Sequence, residues 1–214
     1  MVIVGITVDE KVEKELLRIG VKDSKILSPK RREDLAQKIR DVIRENSEAS
    51  SIITLPISSC KIDMSRTKKV NLNKLEARVM GEIINMSGGD KFYVDALTSR
   101  PERFKQLLLG YVHNKDINLI AENEADKKFP IVSAASIIAK VERDKAIKEL
   151  KGKVNFDFGV GYPHDDRTIE FVKKLLKEKK KLPPYVRKTW ITAQLLQEES
   201  WQRKLKDFIK KMKV

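Results

Sequence analysis

Apolar positions along the chain alternate between two spacings, and the changes of spacing divide it into strands and helices. Val2 to Val8 is rich in β-branched residues and predicts a strand. Glu10 to Ile19 then sets Val12, Leu16 and Ile19 at helical spacing, with Gly20 placed to cap the end. Ser28-Pro29 offers an N-cap hydroxyl followed by a proline whose missing N–H costs nothing at a first helical position. Leu35, Ile39, Val42 and Ile43 form the apolar stripe of that second helix. Ser51 to Ile57 predicts a strand interrupted by Pro56, and Asn71 or Asn73 caps a helix through Ile84 that stops at Ser87-Gly88-Gly89. Lys91 to Asp95 is a short strand with an acid at its end, Pro101 to Leu109 a helix, and Ile117 to Ala121 a strand leading to Asp126. Long helices follow over Ser133 to Leu150 and Thr168 to Lys179, then a break at Pro183-Pro184 and a basic helical stretch from Thr189 to Met212.

Alternating strands and helices imply an α/β domain in which helices flank a mixed sheet. The expected division is a main domain over residues 1–184 and a small C-terminal helical extension over 185–214. With 214 residues and 41% hydrophobic content, the chain can bury one sizeable core. Its single cysteine, Cys60, allows no intrachain disulfide and points to the cytoplasm. Two histidines with one cysteine make the usual zinc sites implausible. The apolar start meets Asp9 and Glu10 without a basic lead-in or a small-residue cleavage site, so it predicts a strand and not a signal peptide. No apolar run is long enough for a membrane span, and no membrane partner is expected.

Charge narrows the function. Forty-five Lys plus Arg against 31 Asp plus Glu leave a net +14, which favours a polyanion, nucleic acid ahead of an acidic membrane surface. A hot environment would account for the abundance of charge but not for its imbalance. Lys177 to Lys181, four lysines around Glu178, reads equally as a solvated helix end or a phosphate contact.

The candidate chemistry lies in carboxylates. Hydrolysis of a phosphodiester by two metal ions needs several acids converging on a point where the ions sit about 4 Å apart. Asp95 ends one strand and Asp126 follows another, so both fit one edge of a sheet. Acids at strand ends are common, and the pattern alone leaves a purely structural reading open.

Five segments, in order, resemble the type 2 ribonucleases H (ribonuclease HII). They are Gly20-Val-Lys-Asp23-Ser24-Lys25 with the helix after it, Tyr93-Val-Asp95-Ala, and Glu124-Ala-Asp126 followed by Phe129-Pro-Ile-Val-Ser-Ala-Ala-Ser136-Ile-Ile-Ala-Lys140. Phe158-Gly-Val-Gly-Tyr162-Pro-His and Pro183-Pro-Tyr-Val-Arg187-Lys-Thr-Trp190 complete the set. The resemblance implies a ribonuclease H-like fold. It also implies an endonuclease that cuts the RNA strand of RNA–DNA hybrids, and single ribonucleotides in duplex DNA, leaving 5′-phosphate ends. On it, Asp95 and Asp126 are catalytic metal ligands for Mn²⁺ or Mg²⁺, and Tyr162 stacks on the sugar at the DNA–RNA junction. Ser24, Lys25, Ser133 and Lys140 would contact backbone phosphates, and the protein would act as a monomer. Plainer roles stand beside these: Ser133 and Ser136 as small residues for close helix packing, Tyr162 as a buried turn aromatic, Asn73 as an N-cap. A non-catalytic hybrid-binding protein is the alternative function, and a basic structural protein a third.

The chain departs from the family pattern at one place. The family opens on a strand running into an aspartate-glutamate pair and a glycine-arginine-glycine loop, and this chain carries neither. Asp9-Glu10 is followed by Lys11-Val12 where the glycine loop would stand, and Met1 to Val8 aligns better with the second family strand. Without a central strand, its two neighbours would keep unpaired backbone groups at about 1–3 kcal/mol each when buried. The expectation is a protein that starts further upstream or a sheet that is altered, with activity impaired by the loss of two acidic ligands.

Overall fold

Asp9, Ser28, Ser58 and Asn71 each lend a side-chain oxygen to a backbone N–H three residues on, and each thereby starts a helix. The structure, a computed structural model, describes residues 1–21, 27–178 and 181–212. In chain order the elements are β1 (Val2–Thr7), α1 (Glu10–Arg18), α2 (Pro29–Glu45), β2 (Ser51–Pro56), α3 (Ser59–Thr67), α4 (Leu72–Met86) and β3 (Lys91–Asp95). They continue with α5 (Pro101–Leu109), β4 (Asn118–Glu122), α6 (Ala125–Lys128), α7 (Pro130–Val154), α8 (Asp166–Glu178) and α9 (Ile191–Met212). Two compact units result, one of residues 1–57 and 70–143, the other of 58–69 and 144–214.

Among the described residues, the four strands all belong to the first unit. β1 runs antiparallel to β2, from Val2 opposite Pro56 to Thr7 opposite Ser51. β3 runs parallel to β4, from Lys91 beside Asn118 to Asp95 beside Glu122. The α/β class therefore holds, with both kinds of pairing present, and among the described residues the strands form two separate two-stranded sheets. The expected stripe of α2 packs with Val12 and Leu16 of α1 and with Ala134, Ile137 and Ile138 of α7. Ile39, at 0% exposure, sits in the middle of this cluster, and burying such a side chain contributes about 1.5–3 kcal/mol. A second cluster joins Ala77 and Ile84 of α4, Phe104 and Leu108 of α5, and Leu119 of β4. Gly5 lets α4 close onto β1, since a Cβ there would stand 2.3 Å from the Ile83 side chain.

The second unit packs Phe158, Phe171, Leu175, Leu176, Val186 and Ala193 together, with Ile147 and Leu150 from the later turns of α7 against them. Polar bonds fasten α3 into it. The Asp63 carboxylate accepts from Lys188 N (2.9 Å), Thr189 N (3.1 Å) and Thr189 Oγ1 (2.6 Å). Ser59 Oγ donates to the Tyr185 carbonyl at 2.9 Å. Among the described residues no helix is long and apolar enough to cross a membrane.

Candidate active site

Because β3 and β4 are parallel and in register, the loops after both leave from one edge of the pair. Ala96 N donates to Glu122 O at 2.8 Å, carrying the pairing one step past Asp95. Asn123 then bridges the two loops, its Nδ2 donating to the carbonyls of Ala96 (3.1 Å) and Thr98 (2.8 Å). Glu124 takes a left-handed conformation (φ 55°), which turns the chain sharply into α6. The single turn of α6 carries Asp126 and halts at Phe129, where Pro130 disfavours a helical predecessor and opens α7. Asp95 Oδ1 accepts from Ala125 N at 3.2 Å, so one acid fixes the backbone that presents the other.

Asp95 and Asp126 line the same cavity, of about 380 Å³, together with Glu76 of α4 and Ser136 of α7. Asp126 is only 5% exposed. Aromatic packing braces the wall: the Tyr93 and Phe129 rings lie 4.4 Å apart and the Lys91 ammonium stands 5.1 Å over Tyr93. A hydrogen bond to Tyr93 holds the Lys91 ammonium above the usual lysine range.

Of the other expected residues, Ser133 is buried at 1% exposure in the first turn of α7, next to fully buried Ala134. Lys140 lies half-buried one turn beyond Ser136. Ser24 and Lys25 lie outside the described residues. Asn73 belongs to the body of α4, whose cap is Asn71.

Tyr162 belongs to the second unit, on a turn built by glycine and aspartate. Gly159 and Gly161 have positive φ (73° and 72°). Asp165 accepts from the backbone N–H groups of Val160 (2.8 Å), Arg167 (2.9 Å) and Thr168 (3.2 Å). Those bonds, Val160 foremost, hold its carboxyl below the usual carboxylate range. Thr168 Oγ1 donates to Phe158 O (2.7 Å) and accepts from Gly161 N (3.1 Å). The turn leaves Tyr162 39% exposed, its ring stacked on His164 at 5.6 Å and 8°. It is an exposed aromatic platform, not a buried turn residue.

Sequence reasoning did not single out Asn123 or Asp165. The one trace of Asn123 is an amide immediately after a strand, within Glu122-Asn-Glu-Ala-Asp126.

Carboxylate oxygens are hard donors suited to Mg²⁺ or Mn²⁺. A magnesium site usually takes one or two carboxylates with substrate phosphates, and Asp95 with Asp126 fits that pattern for one ion. Among the described residues there is no group of three or more His, Cys, Asp and Glu placed to hold a metal.

The ribonuclease HII family profile matches residues 1–193. Ribonuclease HII of Methanothrix thermoacetophila is 37% identical over 200 residues, covering 94% of this chain and 91% of that protein. The ribonuclease H2 structure from Pyrococcus horikoshii OT3 superposes with a TM-score of 0.79 at 35% identity, covering 94% of this chain and 99% of that one. The structure of the PCNA:RNase HII complex from Archaeoglobus fulgidus gives 0.77 at 36%, covering 91% and 88%. Fold and relatives together define an α/β nuclease of the ribonuclease H type. The chain belongs to the ribonuclease HII family, and the enzyme class is thus type 2 ribonuclease H.

Proposed function

We propose that this enzyme hydrolyses the RNA strand of RNA–DNA hybrids and cuts at single ribonucleotides embedded in duplex DNA, leaving 5′-phosphate ends. The observation that carries the reading is the convergence on one cavity of Asp95, at the end of β3, and Asp126, on the single turn of α6 that follows the adjacent parallel strand β4. These two carboxylates would hold Mn²⁺ or Mg²⁺, which supplies an activated water and stabilises the leaving oxygen. Asp95 further orients Asp126 by fixing the backbone of Ala125. Tyr162 receives the sugar at the junction on its exposed face, where the 2′-hydroxyl distinguishes RNA from DNA. Ser24, Lys25, Ser133 and Lys140 serve the phosphate backbone, contacts that position a duplex without reading its sequence. A net charge of +14 supports electrostatic capture of that duplex. The exposed thiol of Cys60 supports a reducing, cytoplasmic setting.

The test is cleavage of a duplex bearing one embedded ribonucleotide, with Mn²⁺ or Mg²⁺. It compares these 214 residues with the same chain extended by a family-like first strand carrying the acidic pair. Weak cleavage by the first, strong cleavage by the second, and none from either after Asp95→Asn would bear the proposal out. Cleavage indifferent to both Asp95→Asn and Asp126→Asn would sink it.

A further inference from the structure

The first turn of α9 is fastened on both sides to parts of the chain far away in sequence. The helix starts on the Trp190 carbonyl, which accepts from Gln194 N at 3.0 Å. Just ahead of it, the N–H groups of Lys188 and Thr189 and the Thr189 hydroxyl all donate to one carboxylate, that of Asp63 on α3. Just past the start, Thr192 Oγ1 donates to the Pro163 carbonyl at 3.4 Å. Pro163, Trp190 and Thr192 also line one small void of about 10 Å³ with Thr168 and Ile169 of α8. The turn that carries Tyr162 therefore leans on the start of α9, and the start of α9 hangs on Asp63.

The Pro163 carbonyl belongs to the peptide that joins Pro163 to His164. Its orientation decides how the His164 ring meets the Tyr162 ring, which lies 5.6 Å away and 8° from parallel. Asp165 and Thr168 act within residues 158–168 and hold the shape of the turn. The Thr192 bond comes from another helix and holds the direction in which the stacked rings point. An ionised carboxylate suits the far end of this linkage, because it is acceptor-only and can take several donors at once. Its charge also stands at the positive end of α9. Packing alone does little to place α3, whose one buried apolar side chain is Ile62, so the Asp63 bonds make the connection.

We propose that Asp63 is a positioning residue for ribonucleotide recognition: through the start of α9 and the Thr192–Pro163 bond, it sets the stance of the Tyr162–His164 stack. The proposal rests on the reading of Tyr162 as the residue that receives the sugar at the junction. Asp63 itself touches no substrate; it acts through the backbone of Lys188 and Thr189.

The test uses the 214-residue chain and two readouts. The chain has two histidines, so proton NMR resolves the Hε1 resonances of His113 and His164, and Tyr162→Ala identifies the one that feels the Tyr162 ring. Fluorescence anisotropy without divalent metal gives the affinity for a duplex with one embedded ribonucleotide and for the same duplex in all DNA. Asp63→Asn keeps the size of the side chain but turns an NH₂ group toward one of the donors. It should move the His164 resonance toward its position in Tyr162→Ala and leave His113 in place. It should also reduce the preference for the ribonucleotide by about three- to tenfold, a part of the roughly 5–150-fold that one stacked ring is worth. Affinity for the all-DNA duplex should stay as in the parent. Thr192→Val cuts the linkage at its other end and should do the same, while Thr192→Ser keeps the hydroxyl and should match the parent. In a Tyr162→Ala background, Asp63→Asn should change the preference no further. An unmoved His164 resonance in Asp63→Asn and Thr192→Val overturns the proposal, as does an equal loss of affinity for both duplexes. A preference untouched by Tyr162→Ala alone would instead overturn the reading of Tyr162, and the role in recognition with it, whether or not His164 moves.

Discussion

Asn123 gives the sharpest handle on how the acids are held. Its amide is the tie between the loop after β3 and the loop after β4, through bonds to the Ala96 and Thr98 carbonyls. A neutral hydrogen bond contributes about 0.5–1.5 kcal/mol net. The Asn123 side chain is exposed and one of the two bonds is open to water, so Asn123→Ala should cost about 0.5–1.5 kcal/mol for the pair. In a chain of this size that lowers the melting temperature by about 1–6 °C. Metal affinity should suffer more than stability, because orientation of ligands by surrounding groups is typically worth about 10–100-fold. Mn²⁺ titration followed by electron paramagnetic resonance would read that loss without depending on turnover. Asn123→Asp is the decisive comparison. It sets carboxylate oxygens against two carbonyl oxygens, so acceptor faces acceptor and the loops separate. The aspartate variant must therefore bind Mn²⁺ more weakly than the alanine variant. Equal or tighter binding by Asn123→Asp would refute the bridging role.

Three other predictions follow from the second unit. Gly159→Ala would force a Cβ to 2.4 Å from the Asp165 carboxylate at a φ of +73°. The expected cost is about 1–3 kcal/mol of backbone strain, measurable in denaturant melts, with weakened hybrid binding as the turn shifts. Tyr162→Ala should weaken hybrid binding by the worth of one stacked ring, about 1–3 kcal/mol, while Tyr162→Phe retains it; fluorescence anisotropy against a labelled hybrid decides. Asp165 and Asp157 both have depressed carboxyl pKa values, Asp165 chiefly from the Val160 N–H and Asp157 chiefly from Lys151. A depressed folded pKa gives stability that is present above the unfolded value, near 3.8, and is lost as pH falls through the lower folded value. The loss of stability on acidification below about pH 4 should therefore be shallower in Asp165→Asn and Asp157→Asn than in the parent, as acid melts would show.

Much of this architecture was legible because local chemistry decided it. Ser28-Pro29 and Asn71 fix helix starts through single side chains, and the stripe of Leu35, Ile39, Val42 and Ile43 repeats at helical spacing. Asp95 was legible as a strand end, since it closes the strand Lys91–Asp95, and Asp126 as an acid shortly after the next strand. α3 was missed because it has almost no stripe: only Ile62 is buried, and the helix is fastened by polar bonds to residues far along the chain. α6 was missed because a four-residue turn that depends on a left-handed Glu124 has no periodicity to detect. Asn123 and Asp165 act through backbone groups two to 27 residues away, and nothing in their own neighbourhood advertises those partners.

The Asp63 clamp carries a consequence for synthesis. α3 leaves the ribosome early, yet the backbone groups it holds, at Lys188 and Thr189, follow 125 and 126 residues later. At about 5–20 residues per second, α3 waits about 6–25 seconds for the partners that fix it. During that interval the helix has one buried side chain to offer and an exposed thiol at its first turn. The first unit has all its residues in hand well before the second can close, so the order of assembly is set by where the chain is interrupted.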